Sequence, residues 1–410
     1  MNKNFRFIVS LLVLTATALA CALPIGTGDS EPTTDQVATI VAGTLQALTP
    51  VSSTVVPDAP SATPAPAGIL PRSLYYIGSD GSGLAQVFRV ERDGVTTRQI
   101  TFEPSNVSSF DVSPIDGSMA YVANNQLLSI NADGSGRSLL VDGGVVDPNN
   151  QMSTSISNPV FSPDGLTIAY GLRGLNLYSI IGGTPTTVLP QQVDASTGMT
   201  REMYVPKNYS PDGTKILITV AIPNSDGISS GIYVPATNSL VRISGEGAIF
   251  CCAKQGWTPD SAALFSANPS LGMFGSGLWR VDAVTGAITT LIPSDAGSGA
   301  YNLPDEPYLA PDGQLYYFFS AAPSPDGFIN RAPLQIVRSA PDGVTGRTVL
   351  NPEGLQLINE VLWAPDASFV IIVFAPMQDV YVGGQAEVTY YDGRPPVILT
   401  TYAQDLKWGP

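Results

Sequence analysis

One short phrase, a large residue followed by x-Pro-Asp-Gly, returns about every fifty residues along most of this chain. The copies are Val112–Gly117 (with one extra residue), Phe161–Gly165, Tyr209–Gly213, Trp257–Ser261, Leu309–Gly313, Trp363–Ala367 and a truncated Trp408–Pro410. Their prolines are residues 114, 163, 211, 259, 311, 365 and 410, so successive copies lie 45 to 54 residues apart. A repeat of this length that contains four short β segments is typical of a propeller blade. The sequence therefore predicts an all-β propeller.

Each copy ends an inner strand, and three further strands follow it. In the first unit we expect these at Met119–Ala123, Gln126–Ile130 and Arg137–Val141. Residues 73–101 contain three such strands with no inner strand before them, whereas Leu406–Pro410 is an inner strand with nothing after it. Pairing the C-terminal strand with the N-terminal strands would complete a blade and remove the exposed sheet edges. We therefore expect seven blades; six or eight would require one misread unit.

The phrase itself is interpreted as structural. Proline presets the turn, aspartate closes it with its side chain, and glycine accepts a positive φ. The large residue two positions before each proline is expected to pack between neighbouring blades. These repeats, with Ser-Pro-Asp-Gly at Ser162–Gly165 and Ser210–Gly213, resemble the propeller repeats of TolB-type periplasmic proteins and of dipeptidyl peptidase-like hydrolases. The resemblance covers residues 72–410, which we expect to form one β-propeller domain; it implies a fold and leaves the activity open.

The first twenty residues are typical of an export signal. Lys3 and Arg6 are followed by an apolar stretch, Phe7–Leu14, and by small residues that lead into Cys21. This segment resembles a bacterial lipoprotein signal, which implies that Cys21 is lipidated; cleavage without lipidation is the alternative. We expect an extracytoplasmic protein that is anchored to a membrane by lipid, because no later segment has the length of apolar sequence that a spanning helix needs.

Residues 21–71 are expected to form a tether. A short amphipathic helix is predicted over 34–48, where Thr33 and Gln36 form a capping box. The stretch from Thr49 to Pro71 is rich in Pro, Ser and Thr, a composition that favours extended linker conformations.

Charge excludes one class of partner. The chain carries 34 acidic and 19 basic residues, a formal net charge of −15. Nucleic-acid binding needs clustered Lys and Arg, so we expect no nucleic-acid partner. We expect a monomer whose partner is a protein or peptide of the cell envelope.

Loop lengths predict which face of the propeller binds. The turns after the first and third strands of each blade are tight, whereas long insertions occupy the other two kinds of connection. They are residues 223–231, 268–277, 321–333 and 375–385 between second and third strands, and 142–157, 190–206 and 293–304 between blades. We expect binding on this long-loop face, because loops carry function on a rigid scaffold.

Charged residues are predicted at the mouth of the central channel on that face. Four consecutive blades place Lys254, Glu306, Glu360 and Asp405 five residues before their prolines, and Asp305 adjoins Glu306. Converging carboxylates suit Ca²⁺ or a basic peptide group. The alternative interpretation is a solvated polar rim with no ligand.

Signals for catalysis are weak. The chain has no histidine, which excludes Ser-His-Asp and Cys-His catalysis and any histidine metal site. We therefore expect a non-catalytic propeller that binds a protein or peptide, or a carbohydrate, through the long-loop face. Two alternatives stay open: a hydrolase or lyase that works through carboxylates such as Glu306 and Glu360, and a structural component of the envelope.

Two adjacent cysteines, Cys251 and Cys252, lie just before Lys254. In an oxidising compartment they have each other as partners. Their Cα atoms are about 3.8 Å apart across a trans peptide, less than a disulfide usually spans. A strained vicinal disulfide and two free thiols are both open, and a metal or redox role is the third possibility.

Overall fold

The computed structural model describes residues 68–223, 228–243, 254–268, 275–297, 299–323 and 331–410. The export signal, Cys21, the helix expected over 34–48, and the Cys251–Cys252 pair lie outside the described residues. Within the described part the chain is almost wholly β, with one short helix, α1 (Gln151–Thr154), and one 3-10 turn, Pro235–Thr237. Neither of them is long and apolar enough to cross a membrane.

The strands are named in chain order. The first half contains β1 (Leu74–Ser79), β2 (Ala85–Val90), β3 (Thr97–Gln99), β4 (Val107–Val112), β5 (Met119–Ala123), β6 (Gln126–Ile130), β7 (Ser138–Asp142), β8 (Ser157–Phe161), β9 (Thr167–Gly171), β10 (Gly174–Ser179), β11 (Pro185–Pro190), β12 (Gln192–Val193), β13 (Thr200–Tyr209), β14 (Ile216–Ala221), β15 (Ile228–Val234) and β16 (Ser239–Arg242). The second half contains β17 (Lys254–Trp257), β18 (Ala263–Asn268), β19 (Gly277–Asp282), β20 (Ile288–Ile292), β21 (Tyr301–Leu309), β22 (Leu315–Ala322), β23 (Leu334–Ser339), β24 (Thr348–Leu355), β25 (Ile358–Trp363), β26 (Phe369–Phe374), β27 (Gly384–Tyr390) and β28 (Val397–Trp408).

These strands pair in sequence order into small antiparallel sheets. Four sheets have four strands each, β4–β7, β8–β11, β17–β20 and β21–β24, and a fifth consists of β13–β16 with β12 added at its inner edge. Strands that follow one another in the chain are antiparallel neighbours in each sheet, so each sheet is an up-and-down unit of the propeller that the repeat predicts. The segment 190–206 was expected to be a loop, but part of it forms β12 and the beginning of β13, which pair with each other.

The remaining strands form one seven-stranded sheet in the order β25-β26-β27-β28-β1-β2-β3. The first part of β28 pairs with β27, for example Val397 with Val388. Its last part pairs with β1, where Leu74 lies opposite Trp408. The predicted closure, C-terminal strand against N-terminal strands, is confirmed. Dividing β28 between its two pairings gives two units of four strands, which with the five other sheets make seven units. Seven blades as such stays a prediction.

The core lies mainly between neighbouring sheets, as expected for the large residue of each phrase. Trp363 stacks on Tyr308 of the preceding sheet with ring centroids 6.2 Å apart, and its indole N–H donates to the Glu306 carbonyl at 2.9 Å. The Trp408 indole donates likewise to the Trp363 carbonyl at 2.8 Å. Burying an aromatic ring while satisfying its one polar atom suits such a position.

The Pro-Asp-Gly turns behave as the sequence predicts. Asp164 Oδ1 accepts the Leu166 backbone N–H at 3.0 Å, and Gly165 has a φ of 69°. Where a copy lacks the glycine, Ser261 and Ala367 still adopt positive φ values of 59° and 56°. The fold requires the left-handed conformation at this position even from residues that disfavour it.

Inner strands carry an irregularity that the sequence did not predict. β4, β8, β13, β21, β25 and the last part of β28 each contain a register shift against the next strand. In three of them a bulge residue has a positive φ: 45° at Asn158, 49° at Glu306 and 54° at Asp405. A bulge adds an unpaired residue and redirects side chains, and bulges are frequent beside functional sites.

Candidate functional site

The bulged ends of the inner strands surround a cavity of about 430 Å³ at the channel mouth. Loop residues 381–383, from the long insertion over 375–385, form part of the same wall. The polar residues of the wall are Ser108, Ser109, Asn158, Lys207, Lys254, Asn359, Glu360, Tyr381, Gln404, Asp405 and Lys407. Mouth residues and a long loop therefore meet on one face, as the strand directions predict.

Three of the five predicted site residues, Lys254, Glu360 and Asp405, line this cavity. Glu306 does not line it, but its carboxylate lies 3.0 Å from Lys254 Nζ. Asp305 is one step further back, and its Oδ1 accepts the Glu306 backbone N–H at 2.9 Å. Lys254, Glu306 and Asp305 therefore form one connected group, and Glu360 and Asp405 form a second through the Asp405 N–H.

Glu360 is engaged by the next inner strand. Its Oε2 accepts the Asp405 backbone N–H at 2.8 Å and its Oε1 accepts that of Leu406 at 2.6 Å. These two N–H groups belong to the bulge of β28, where the chain has no regular partner on β1. Burial and the nearby Asp405 carboxylate raise the pKa of Glu360. The Glu360 carboxylate therefore connects two inner strands, β25 and β28.

Lys407 is a site residue that spacing alone missed. Its Nζ lies 3.3 Å from Asp405 Oδ1. The carboxylates of Asp405 and Asp111 hold the pKa of Lys407 above its ordinary value, so the ammonium stays protonated. Asp111 in turn accepts the Phe161 backbone N–H at 2.7 Å, and burial raises the pKa of its carboxyl. Lys407 and Asp111 both lie three residues before a repeat proline, whereas the predicted site position lies five residues before it. Side chains two residues apart on a strand point to the same face, so this alternation could have identified both residues from the sequence.

The pKa values of Lys254 and Asp305 are both raised. The neighbouring Glu306 carboxylate raises the pKa of Lys254. Burial, together with repulsion from Glu306, raises the pKa of Asp305 to about 7. Asp305 is thus held toward its neutral form beside a fixed ion pair, because burial disfavours the charged form of an acid.

Lys207 is the second residue that the sequence interpretation missed. Its Nζ donates to Gln255 Oε1 at 3.0 Å, and the Ser230 hydroxyl donates to the same oxygen at 3.2 Å. The expected position on this strand was Pro206, one residue earlier. The register shift between Pro206 and Asn208 brings Lys207 to the cavity instead.

One lip of the cavity is apolar and held in place by hydrogen bonds. The Arg331 guanidinium donates to the Val380 carbonyl at 3.1 Å and lies 5.0 Å from the centroid of the Tyr381 ring. The Asn359 amide donates to the Gly383 carbonyl at 2.6 Å. Tyr381 and Val382 are left 47% and 65% exposed at the rim.

A second depression of about 370 Å³ adjoins the cavity and shares Ser108, Ser109 and Asn158 with it. Its other polar wall residues are Asn106, Asn124, Asn125, Ser155 and Ser157. Asn125 is structural, since it donates to the Gly144 and Thr154 carbonyls and accepts the Ile156 N–H. Asn124 and Asn158 have exposed side chains and positive φ values of 50° and 45°. We call this depression the amide groove.

A metal centre finds no support in this geometry. Among the residues that the structure describes, no group of three or more His, Cys, Asp or Glu side chains is arranged to hold an ion. The acids at the mouth make their ion pairs and hydrogen bonds with lysines and backbone N–H groups. The arrangement therefore favours recognition of a mixed-charge or hydrogen-bonding group over Ca²⁺.

Comparison with protein-family models gave no match, and comparison with curated proteins gave none. Solved structures with the same fold were found. A structure from a study of two prolyl endopeptidases matches with a TM-score of 0.50 and 13% identity, over 79% of this chain and 47% of that one. Prolyl oligopeptidase B from Galerina marginata matches with a TM-score of 0.51 and 12% identity, over 80% and 48%. TolB from Acinetobacter baumannii matches at 0.42 and 14%, over 79% and 77%.

The chain thus spans about half the length of the two peptidases. At these identities the similarity shows the fold alone, and it confirms the predicted β-propeller. It carries no conclusion about catalysis, because one propeller fold serves enzymes and non-enzymes alike.

Proposed function

We propose that this propeller is a non-catalytic binding module that holds a protein or peptide partner on its long-loop face. The observation that carries the proposal is the cavity of about 430 Å³, which combines charged residues of several inner strands with an apolar lip. Binding sites are typically concave, within roughly 300–1,000 Å³, with a few convergent polar groups. The amide groove would extend this site outward.

The hydrogen bonds and ion pairs of the carboxylates support a binding function over hydrolase or lyase activity. An acid–base pair needs one carboxyl group free to donate and one free to accept a proton at the substrate. Glu360 is engaged by two backbone N–H groups, and Glu306 by Lys254. We therefore assign Lys254, Asp305, Glu306, Glu360 and Asp405 to positioning and recognition.

A displayed library of random peptides, selected against the full-length protein, tests the proposal. Ser108 is exposed in the wall shared by cavity and groove, so Ser108→Trp should block the site without a buried clash. Val284, 72% exposed in a tight turn on the opposite face, gives the matched control Val284→Trp. We expect selected peptides to bind the control and lose binding to Ser108→Trp. Enrichment of no sequence, or equal binding to both variants, contradicts the proposal.

We also propose that the chain is extracytoplasmic and anchored through lipid on Cys21. The support is the basic, apolar and small-residue order of residues 1–21. Growth with an alkyne fatty acid should label the protein and leave Cys21→Ser unlabelled. Equal labelling of both would contradict lipidation at this cysteine. A Cys251–Cys252 disulfide and two free thiols both stay open, and mass measurement before and after reduction can decide between them.

A further inference from the structure

Lysine is scarce in this chain, yet it is concentrated in one place. The sequence has five lysines: Lys3, Lys207, Lys215, Lys254 and Lys407. Three of them, Lys207, Lys254 and Lys407, line the channel cavity, although they come from three different inner strands. In a chain with a net charge of −15, this is a local concentration of cationic donors.

Lys254 and Lys407 each have a carboxylate partner, yet both stay partly exposed at the cavity. Five of the described acids interact with Lys254 or Lys407. Asp111, Asp305 and Glu306 do not line the cavity, whereas Glu360 and Asp405 do. Both oxygens of Glu360 already accept backbone N–H groups. Lys254 and Lys407 remain 43% and 31% exposed beside their carboxylate partners. An ammonium has three N–H donors, so one ion pair leaves capacity for a ligand oxygen.

The surroundings restrict what can carry that oxygen. The lip formed by Tyr381 and Val382 offers an apolar contact beside the lysines. The amide groove is lined by asparagine and serine side chains together with Val122, Val146 and Ile156, and none of its described lining residues is aromatic. Side-chain amides match the alternating donors and acceptors of an extended peptide backbone. A polypeptide fits this combination better than a sugar chain does.

We propose that the cavity binds a carboxylate of the partner polypeptide, held by Lys207, Lys254 and Lys407, with an adjacent apolar side chain against Tyr381 and Val382. This inference rests on the proposed peptide-binding function and adds the chemical group that is recognised. The carboxylate can come from a chain terminus or from an internal Asp or Glu side chain.

Fluorescent peptides test this against the full-length protein. One pair shares a Gly-Ser sequence that ends in Leu, as free acid or as amide; a second, amidated pair carries an internal Asp-Leu or Asn-Leu. We expect the acid member of at least one pair to bind roughly ten-fold more tightly, since hydrogen bonds to charged groups are the stronger ones. Raising NaCl from about 50 to about 500 mM should reduce that preference, because salt screens exposed charges.

Some variants keep the local net charge unchanged. They show whether the preference depends on hydrogen bonds donated by a lysine or on net charge alone. Lys254→Met with Glu306→Gln removes both members of one ion pair and should reduce the preference to about two-fold, whereas Glu306→Gln alone should keep or increase it. Lys215→Met is the matched control, because Lys215 lies in a turn beside Asp212, away from the cavity. The salt series on the unaltered protein needs no variant to fold.

The outcomes distinguish failure of carboxylate recognition from failure of the proposed peptide-binding function. Preference in the first pair assigns the carboxylate to a chain terminus, and preference in the second assigns it to a side chain; either supports the inference. Peptides that bind equally as acid and amide, at all salt concentrations, overturn the inference and leave peptide binding standing. Binding of an alginate oligosaccharide without any peptide overturns both.

Discussion

At the scale of single residues, Glu360 shows how the channel carboxylates serve the fold. It lies in β25, yet both of its oxygens accept N–H groups of β28, at the bulge where β28 lacks regular partners on β1. Unpaired N–H groups away from water destabilise a fold, so a bulge at this point needs an acceptor from elsewhere. Glu360 supplies it from the neighbouring blade.

Replacing Glu360 should therefore destabilise the protein. We expect Glu360→Ala to lower the free energy of unfolding by about 2–4 kcal/mol, because two hydrogen bonds to a charged acceptor are lost. Glu360→Gln, which keeps one acceptor oxygen, should fall between. Urea unfolding of both variants measures the effect, with Glu353→Ala, an exposed residue, as control. A Glu360→Ala variant as stable as the control would show that water replaces the carboxylate at no cost.

Asp305 gives the stability a pH dependence of defined sign. Its pKa in the folded protein is raised to about 7, whereas an aspartate in the unfolded chain has a pKa of about 3.9. The folded state therefore holds a proton that the unfolded state has released, and stability falls as pH rises between these two values. Asp305→Asn, which keeps an acceptor for the Glu306 N–H, should lose this contribution.

The difference in unfolding free energy between the unaltered protein and Asp305→Asn isolates that one group. Acids with lowered pKa values, such as Glu103 beside Arg137, contribute the opposite slope and cancel in the difference. We expect Asp305→Asn to gain relative stability from pH 5 to pH 8. A difference that does not change with pH, or that changes the other way, would contradict a raised Asp305 pKa.

At the scale of the elements, the regular strands were predictable and the bulges were not. Met119–Ala123 and Gln126–Ile130 were predicted with their observed bounds, because apolar runs are separated there by an Asn-Asn turn. β28 could not be predicted as one strand, since its two pairings lie with partners distant in sequence. A bulge depends on the partner strand, so local propensity does not reveal it.

The same irregularity limited prediction of the site. A fixed spacing from the proline found Lys254, Glu360 and Asp405 in the cavity wall. It missed Lys207, which the register shift in β13 brings to the cavity. Lys407 lies two residues from Asp405, so two-residue alternation along a strand would have found it without the structure. The partners of Lys254 and Glu360 lie on other inner strands, so those pairs could not be predicted without the fold.

Two turn glycines allow the cost of backbone strain to be compared with the cost of steric crowding. Gly313 and Gly117 have φ values of 77° and 73°. A Cβ on Gly313 would meet nothing within 4 Å, whereas one on Gly117 would lie 3.3 Å from Ala132 Cβ and from Tyr75 Oη. We expect Gly313→Ala to cost about 1–2 kcal/mol through conformation alone, and Gly117→Ala to cost more. Thermal unfolding of the pair checks this; equal losses would show that the crowded turn relaxes.

At the scale of the whole molecule, the pairing of β28 with β1 joins the two ends of the repeat array. Leu74 and Tyr76 of β1 belong to the same buried cluster as Leu406, Ile371 and Val388. The Gly409 N–H donates to the Ser73 carbonyl at 2.8 Å, next to the Trp408 indole bond to Trp363. The last residues of β28 thus combine backbone pairing with β1, aromatic packing and the contacts of Glu360 and Lys407.

Removing residues 404–410 should therefore cost far more than removing one peripheral strand. The deletion exposes the edge of β1 and the apolar cluster beneath it, and such edges pair with other chains. We expect loss of the single cooperative thermal transition and a shift to larger species in light scattering after gel filtration. Deletion of Pro410 alone, which leaves the Gly409 bond, is the control. A monomeric deletion variant that melts within a few degrees of the control would show that the other blades hold the ring without this closure.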